Sequence, residues 1–324
     1  MKPKLSILFA FLALVVIFTL ACSGKDSTET CEPIQEEKQD LTEKEEEKEE
    51  EEEEEKEKIE MVEKTNPVTV VIGNCPDARP SSGLQESSIV YEFLVEGSIT
   101  RLLAVYDNIE EDLTIGPVRS LRPYFGVKAT EYDGAVAHSG YSNRTRSMVS
   151  NLGLNQIVSG NYFWRSSSRR APHNLYTNID NLYQAVGGAK TIEKEISKEN
   201  VSFDFEEAKE VEVRYGNNNV VTYKYDDDKE AYLRFNNNSP HKDLETGKQY
   251  YATKVIIQET PHQSVSGTNL VDINLEGSGQ GVFYKDAKKY EITWEKKDEE
   301  TCYYYEDGTQ INLERGNTWI QIVP

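Results

Sequence analysis

The sequence predicts an α+β protein, and three observations carry that expectation. Across residues 67–190, apolar runs that read as strands are interleaved with helix signals. From residue 201 onward, short β-rich runs alternate with turn residues. Residues 23–66 hold little that a folded core would bury. The expected organisation is a signal segment at 1–22, an acidic tether at 23–66, a mixed α/β domain at 67–200 and a mainly antiparallel β domain at 201–324.

Lys2 and Lys4 precede an apolar run over 5–20, which ends at Ala21-Cys22 before the polar Ser23-Gly24-Lys25-Asp26. A run of 16 is short for a membrane span, and a basic start, apolar middle and small residue at the break describe a secretory signal. Phe18-Thr19-Leu20-Ala21-Cys22 resembles the lipobox of bacterial lipoproteins, with Thr19 where leucine is usual. Cys22 is therefore the expected lipidation site, and the expected location is the extracytoplasmic face of a bacterial membrane. Residues 23–66 carry 20 acidic and seven basic residues, so burial cannot offset the entropy of ordering them, and they read as a solvated tether. Pairs such as Glu52/Lys56 and Glu54/Lys58 sit at helical spacing and allow a transient charged helix.

The first folded element is a strand at Val68-Thr69-Val70-Val71-Ile72, closed by the turn residues Asn74-Cys75-Pro76-Asp77. An irregular loop with Arg79-Pro80 follows, then two apolar runs around Glu96-Gly97-Ser98 that read as a hairpin. Glu92, Glu96 and Arg101 are placed for a cross-strand salt bridge there. After an acidic loop at 108–112, Pro117 and Pro123 keep Arg119 and Arg122 out of a helix interior and lead into a helix over 123–132. Residues 134–138 read as a short buried strand, 142–152 as a helix, and 178–186 as another helix stopped by Gly187-Gly188. A helical linker over 190–200 is the expected boundary. Beyond it, runs such as Val211-Glu212-Val213 and Trp319-Ile320-Gln321-Ile322 read as strands.

Charge is segregated along the chain. The whole sequence carries −21, yet residues 113–176 hold eight cations, seven of them arginine, against Glu131 and Asp133 alone. An acidic exported protein is a poor match for nucleic acid, whereas a local arginine cluster suits a carboxylate or phosphate, which guanidinium binds bidentately. Arg79, Arg101, Arg119, Arg122, Arg169 and Arg170, with Tyr124, His173 and Asn174, are the candidate ligand contacts. Ion pairs to Glu86, Glu92, Glu96, Glu131 and Asp133 are the structural alternative for these arginines. His138 and His173 are the candidates for acid–base work, and an ordinary hydrogen-bonded scaffold is the alternative for each. Gly277-Ser278-Gly279-Gln280-Gly281 lacks the Lys-Ser/Thr of a phosphate loop and reads as a tight β connection. His241 and His262 are isolated, so no metal site or cofactor is expected. Cys75 and Cys302 allow either a disulfide or two free thiols.

The segments Ala78-Arg79-Pro80-Ser81-Ser82-Gly83, Val90-Tyr91-Glu92, Glu96-Gly97-Ser98-Ile99-Thr100-Arg101, Gly116-Pro117-Val118-Arg119-Ser120 and Ala171-Pro172-His173-Asn174-Leu175-Tyr176 closely resemble the YerB-like lipoproteins, which carry the DUF3048 domain. The C-terminal half, with Asp243-Leu244-Glu245-Thr246-Gly247 and Gly316-Asn317-Thr318-Trp319, looks like that family's C-terminal partner domain. Cys75 stands where the resemblance implies a small polar residue or histidine. The resemblance implies architecture and envelope location and no reaction. The leading expectation is a lipid-anchored protein that binds an anionic cell-wall ligand. A glycopolymer or phosphoryl transferase, by loose analogy with the LytR-CpsA-Psr enzymes, and a scaffold for an envelope protein are the alternatives.

Overall fold

Strict alternation of apolar residues builds the centre of the fold. In the strand Val68–Gly73, Val68, Val70 and Ile72 enter one hydrophobic cluster while Val71 enters a second on the opposite face. In Thr100–Tyr106, Leu102, Ala104 and Tyr106 face the first cluster, and Leu103 and Val105 the second. Successive strand side chains point to opposite faces, so a sheet this apolar on both sides must be covered on both.

The computed structural model describes residues 59–107, 113–158, 160–197, 203–297, 299–314 and 316–324. The expected signal segment, Cys22, most of the tether and the acidic loop at 108–112 lie outside the described residues. Residues 54–324 form one compact unit.

An 11-stranded sheet runs through both halves of the sequence. Its middle order is Lys254–Glu259, Thr318–Val323, Ile89–Leu94, Thr100–Tyr106, Val68–Gly73, Ala135–Ala137 and Asn155–Ile157. Thr318–Val323 is the seam: it pairs in parallel with Lys254–Glu259 on one side and with Ile89–Leu94 on the other. Beyond Lys254–Glu259 the sheet continues as an antiparallel meander through Ser278–Lys285, Lys288–Lys297 and Glu300–Tyr305. The glycine-rich stretch is part of this meander. Gly279 lies against the Trp294 indole, where an added Cβ would approach Nε1 to 2.6 Å.

One face of the sheet is covered by a second, five-stranded sheet that includes Glu210–Gly216, Asn219–Asp226 and Ala231–Asn236, with Val211, Val213, Tyr215, Val221, Tyr223 and Tyr232 turned into the first cluster. The short helix α3 (Ile179–Ala185) adds Ile179 and Leu182 to the same cluster. The other face is covered by α1 (Pro123–Thr130), which contributes Tyr124, Phe125 and Ala129, and by α2 (Asn143–Val149). Proline opens α1, and side-chain oxygens of Ser142 and Asn178 cap α2 and α3 by accepting from the backbone N–H three residues on.

The fold is mostly β, with 48% of residues in strands and three α-helices among the described residues. The α+β expectation is met in that coarser form. The strands and helices of residues 67–190 are present, but their strands join the same sheet as those of the C-terminal half. One element is corrected outright. Thr191–Ser197, expected to be helical, is a strand paired antiparallel with Ile59–Thr65. Strand pairing between residues 126 to 138 apart leaves no trace in local periodicity.

The two sheets are pinned by a buried ion pair. Arg234 on the second sheet donates to Glu92 on the first at 2.8 Å, and both side chains are 0% exposed. Arg234 also donates to the Tyr223 hydroxyl at 2.7 Å and to Asn236 at 3.3 Å, and its guanidinium lies 4.2 Å from the Trp319 ring centroid. Its Nε donates to His241 Nδ1 at 3.0 Å. Guanidinium has no acceptor, so His241 is fixed as the neutral Nε2–H tautomer, which faces Ser81 Oγ at 3.3 Å. Burial first, then Arg234 and Arg79, hold the His241 pKa well below the usual histidine value.

Removing one partner of a buried pair strands the other charge. Glu92→Ala is expected to cost about 3–5 kcal/mol in chemical denaturation, and the joint replacement Glu92→Leu with Arg234→Met to cost less than either single truncation. His241 supplies a pH-dependent contribution. Its folded pKa lies below its unfolded value of about 6.5, so stability is full above that pH and falls as acid drives protonation. Melting temperature should drop between about pH 7 and 5, and His241→Gln should flatten part of that slope. His138, His173 and His262, also depressed by burial, supply the remainder of the histidine contribution.

Candidate functional site at the carboxyl end of the sheet

Seven strands of the large sheet run in the same direction: Lys288–Lys297, Lys254–Glu259, Thr318–Val323, Ile89–Leu94, Val68–Gly73, Ala135–Ala137 and Asn155–Ile157. In sheets with parallel strands the carboxyl ends are where loops diverge and leave room for ligands. Three of the loops that carry candidate residues leave from that end. Asn74 and Cys75 follow Val68–Gly73, Glu96 follows Ile89–Leu94, and His138 follows Ala135–Ala137.

The buried Glu92 sets the floor. Its Oε1 accepts from Asn74 Nδ2 at 2.9 Å and from Thr100 Oγ1 at 2.6 Å, and Asn74 also donates to Thr100 at 2.9 Å. These contacts fix the backbone one residue before Cys75 and one before Arg101. The arginine loop is then wedged between strand ends: Arg119 N–H donates to Val71 O, Gly73 N–H to Pro117 O, and Ser139 N–H to Arg119 O. The Arg119 stem lies directly on Gly73, where an added Cβ would sit 2.8 Å from Arg119 Cγ. From the other side, Arg119 Nη1 donates to Pro172 O at 2.8 Å, which draws in the loop bearing His173.

The loop that carries Arg79 is held by the C-terminal half. Gly83 N–H donates to Asp243 at 2.8 Å, Ser82 Oγ to Glu245 at 3.0 Å, and Tyr250 OH to Ser81 O at 2.9 Å. Arg169 Nη1 and Nη2 donate to the Pro80 and Ala78 carbonyls of this loop, each at 2.9 Å. Arg169 therefore staples the loop and pairs with no carboxylate among the described residues.

Glu96 is the carboxylate of the cluster. It accepts from Arg122 through both Nε and Nη2, and Arg101 Nη2 lies 3.5 Å away. Despite burial, which pushes it up, the Arg122 hydrogen bond and the nearby Arg101 hold the Glu96 carboxyl below its usual range. Burial, and then repulsion from Arg122, bring the Arg101 guanidinium down to about 10. Burial likewise lowers Arg79, with Arg234 adding repulsion, and lowers Arg119. Among the described residues, the partly buried Arg79 and Arg119 guanidinium groups have no carboxylate partner.

Arg79, Arg101, Arg119, Arg122, Arg169 and His173 are thus brought into one cluster at this end of the sheet, hereafter the cleft, with Arg101 buried beneath it. Tyr124 is not part of it: the ring is in the α1 core and its hydroxyl donates to Leu94 O. Asn174 holds a turn, accepting from Arg165 and donating to Ser166 O, and Arg170 is exposed. His138 is 0% exposed, with Nδ1 3.1 Å from Gly140 O and Nε2 3.2 Å from Gln156 Oε1. The expected ion pairs are largely elsewhere. Glu92 serves Arg234, and Glu131 serves Lys128 and Lys296. Cys75 and Cys302 are both free thiols. The site residues that sequence reasoning missed are Asn74 and Cys75; their position immediately after a strand was the available signal.

The two sequence halves match two successive family descriptions. Residues 52–197 match the N-terminal domain, and residues 211–320 the C-terminal domain, of the proteins of unknown function DUF3048. The chain belongs to the DUF3048 family. A curated relative, named "Putative lipoprotein YerB", from Bacillus subtilis (strain 168), is 32% identical over 278 residues, covering 82% of this chain and 83% of its own. The crystal structure of the YerB protein from Bacillus subtilis superposes with a TM-score of 0.70 at 32% identity, over 81% of this chain and 91% of that one. The DUF3048 N-terminal match contains the strand ends and arginine loops of the cleft, while the C-terminal match contributes Arg234 and Asp243, which support them.

Gly73 tests the cradle. Gly73→Ala should cost about 1–3 kcal/mol of stability, as overpacking does, and displace the Arg119 stem. Nuclear magnetic resonance of arginine side chains should show the Arg119 Nε signal moved and that of Arg169 unchanged.

Proposed function

We propose that this DUF3048 protein is anchored to the extracytoplasmic face of a bacterial membrane through Cys22 and binds an anionic cell-envelope ligand in the arginine cleft. The observation that carries the binding reading is the pair Arg79 and Arg119. Partly burying a guanidinium costs hydration that a direct carboxylate partner normally returns, and among the described residues neither has a carboxylate within ion-pair distance, Glu92 and Glu96 acting on them only from further away. An incoming carboxylate or phosphate would supply it, and both are groups that guanidinium can bind bidentately. Arg122 and Arg101 contribute positive field around the cleft, reduced by Glu96. The anchoring reading is supported by the resemblance of Phe18-Thr19-Leu20-Ala21-Cys22 to a lipobox and by the name of the Bacillus relative.

Isothermal calorimetry with pyrophosphate, teichoic-acid fragments and muropeptides tests the cleft. The wild-type chain should bind at least one of them, with affinity falling as salt is raised. Arg79→Ala with Arg119→Ala should weaken that binding by tenfold or more, about 1.4 kcal/mol, while the melting temperature stays within a few degrees. Unchanged affinity in the folded double variant would place binding elsewhere.

A further inference from the structure

The fold places two free thiols in opposite electrostatic surroundings. Cys302 lines a cavity of about 510 Å³ on another part of the surface, in company with Asp107, Glu131, Asp133, Glu193, Glu300 and Glu314 and with Lys64 as the lining cation. Lys64 pairs with Asp107 and Glu314, and Glu131 with Lys128 and Lys296, so the lining is net negative although part of its charge is neutralised. Cys75 sits at the carboxyl end of the Val68–Gly73 strand, partly exposed, and interacts electrostatically with both Arg79 and Arg119. Its sulfur lies 3.8 Å from His173 Nδ1 and 3.9 Å from Nε2. Burial, and then the positive charge of Arg119, hold His173 below its usual pKa, so the ring is free to accept a proton at neutral pH.

These groups make a nucleophile, a base and an anion clamp. The thiolate is the reactive form of cysteine, and an adjacent imidazole and positive charge are what such sites use. We propose that Cys75 is a nucleophile of the arginine cleft, directed at an electrophilic carbon on a ligand whose carboxylate or phosphate is held by Arg79 and Arg119. The inference rests on the anion-binding reading and adds a covalent step to it. With an acyl donor, His173 takes the thiol proton and Sγ bonds to the carbonyl carbon. The carbon–nitrogen bond then breaks, and the amine leaves with the proton from His173. Water attacking the thioester releases the acid and returns the proton to sulfur.

A pair of alkylating probes that differ in charge tests this on the full chain. Iodoacetate is anionic and iodoacetamide neutral; with either, the sulfur–carbon bond forms as iodide departs. Rates at Cys75 and Cys302 are followed separately by peptide mass mapping. The iodoacetate-to-iodoacetamide rate ratio should be about tenfold or more higher at Cys75 than at Cys302, in the range by which charged clefts concentrate ions, and should fall as salt is raised. His173→Ala should slow both probes at Cys75 and leave their ratio high, whereas Arg79→Ala with Arg119→Ala should lower the ratio toward that of Cys302. Equal ratios at the two cysteines in the wild-type chain would overturn the proposal, whether or not any variant folds. If pyrophosphate binding persists in that case, the anion-binding reading survives alone; if it too is missing, both are lost.

Discussion

The contact on which the rest of the structure depends is the buried pair between Glu92 and Arg234. It joins residues 142 positions apart, one on each sheet, at a point with 0% exposure on both sides. An isolated buried charge is so unfavourable that each partner must be met from several directions, and here each is. Glu92 is met by Arg234, Asn74 and Thr100; Arg234 by Glu92, Tyr223, Asn236 and His241, over the face of Trp319. Such a network is weak evidence for net stability, since an apolar replacement can do as well. Its consequence is position. By fixing Asn74 and Thr100 it fixes where Cys75 and Arg101 emerge.

That positional role explains why the cleft belongs to both halves. Loops of the N-terminal half supply the guanidinium groups, but the loop bearing Arg79 is held in place by Asp243, Glu245 and Tyr250 from the C-terminal half. The strand Thr318–Val323, close to the end of the chain, is inserted beside Ile89–Leu94 and completes the sheet whose carboxyl end carries the site. Separating the halves would remove a central strand and the support of a loop together.

The arginines divide into three kinds by what they touch. Arg122 and Arg101 share Glu96; Arg169 donates to loop carbonyls and acts as a fastener; Arg79 and Arg119, the latter also donating to Pro172 O, have no carboxylate within ion-pair distance among the described residues. Charge counting alone treats them as equivalent. The difference arises from reach. A long side chain can be satisfied by carbonyls brought close from 90 residues away, as Arg169 is, and local sequence does not report that.

By itself, the sequence determined the strands at Val68–Gly73 and Thr318–Val323, the three helices with their Pro123, Ser142 and Asn178 starts, and the concentration of arginine in one segment, because alternation, capping and composition are local properties. It also carried the family resemblance. Tertiary structure decided the partners. Glu92 and Glu96 both lie on the hairpin with Arg101, and the sequence offered either as its partner; the fold gives Arg101 to Glu96 and Glu92 to Arg234. Thr191–Ser197 became a strand because Ile59–Thr65 was there to pair with it. The environment of Cys75 follows the same rule, since strand order and loop docking bring His173, Arg79 and Arg119 around a sulfur that the sequence shows only as a cysteine after an asparagine.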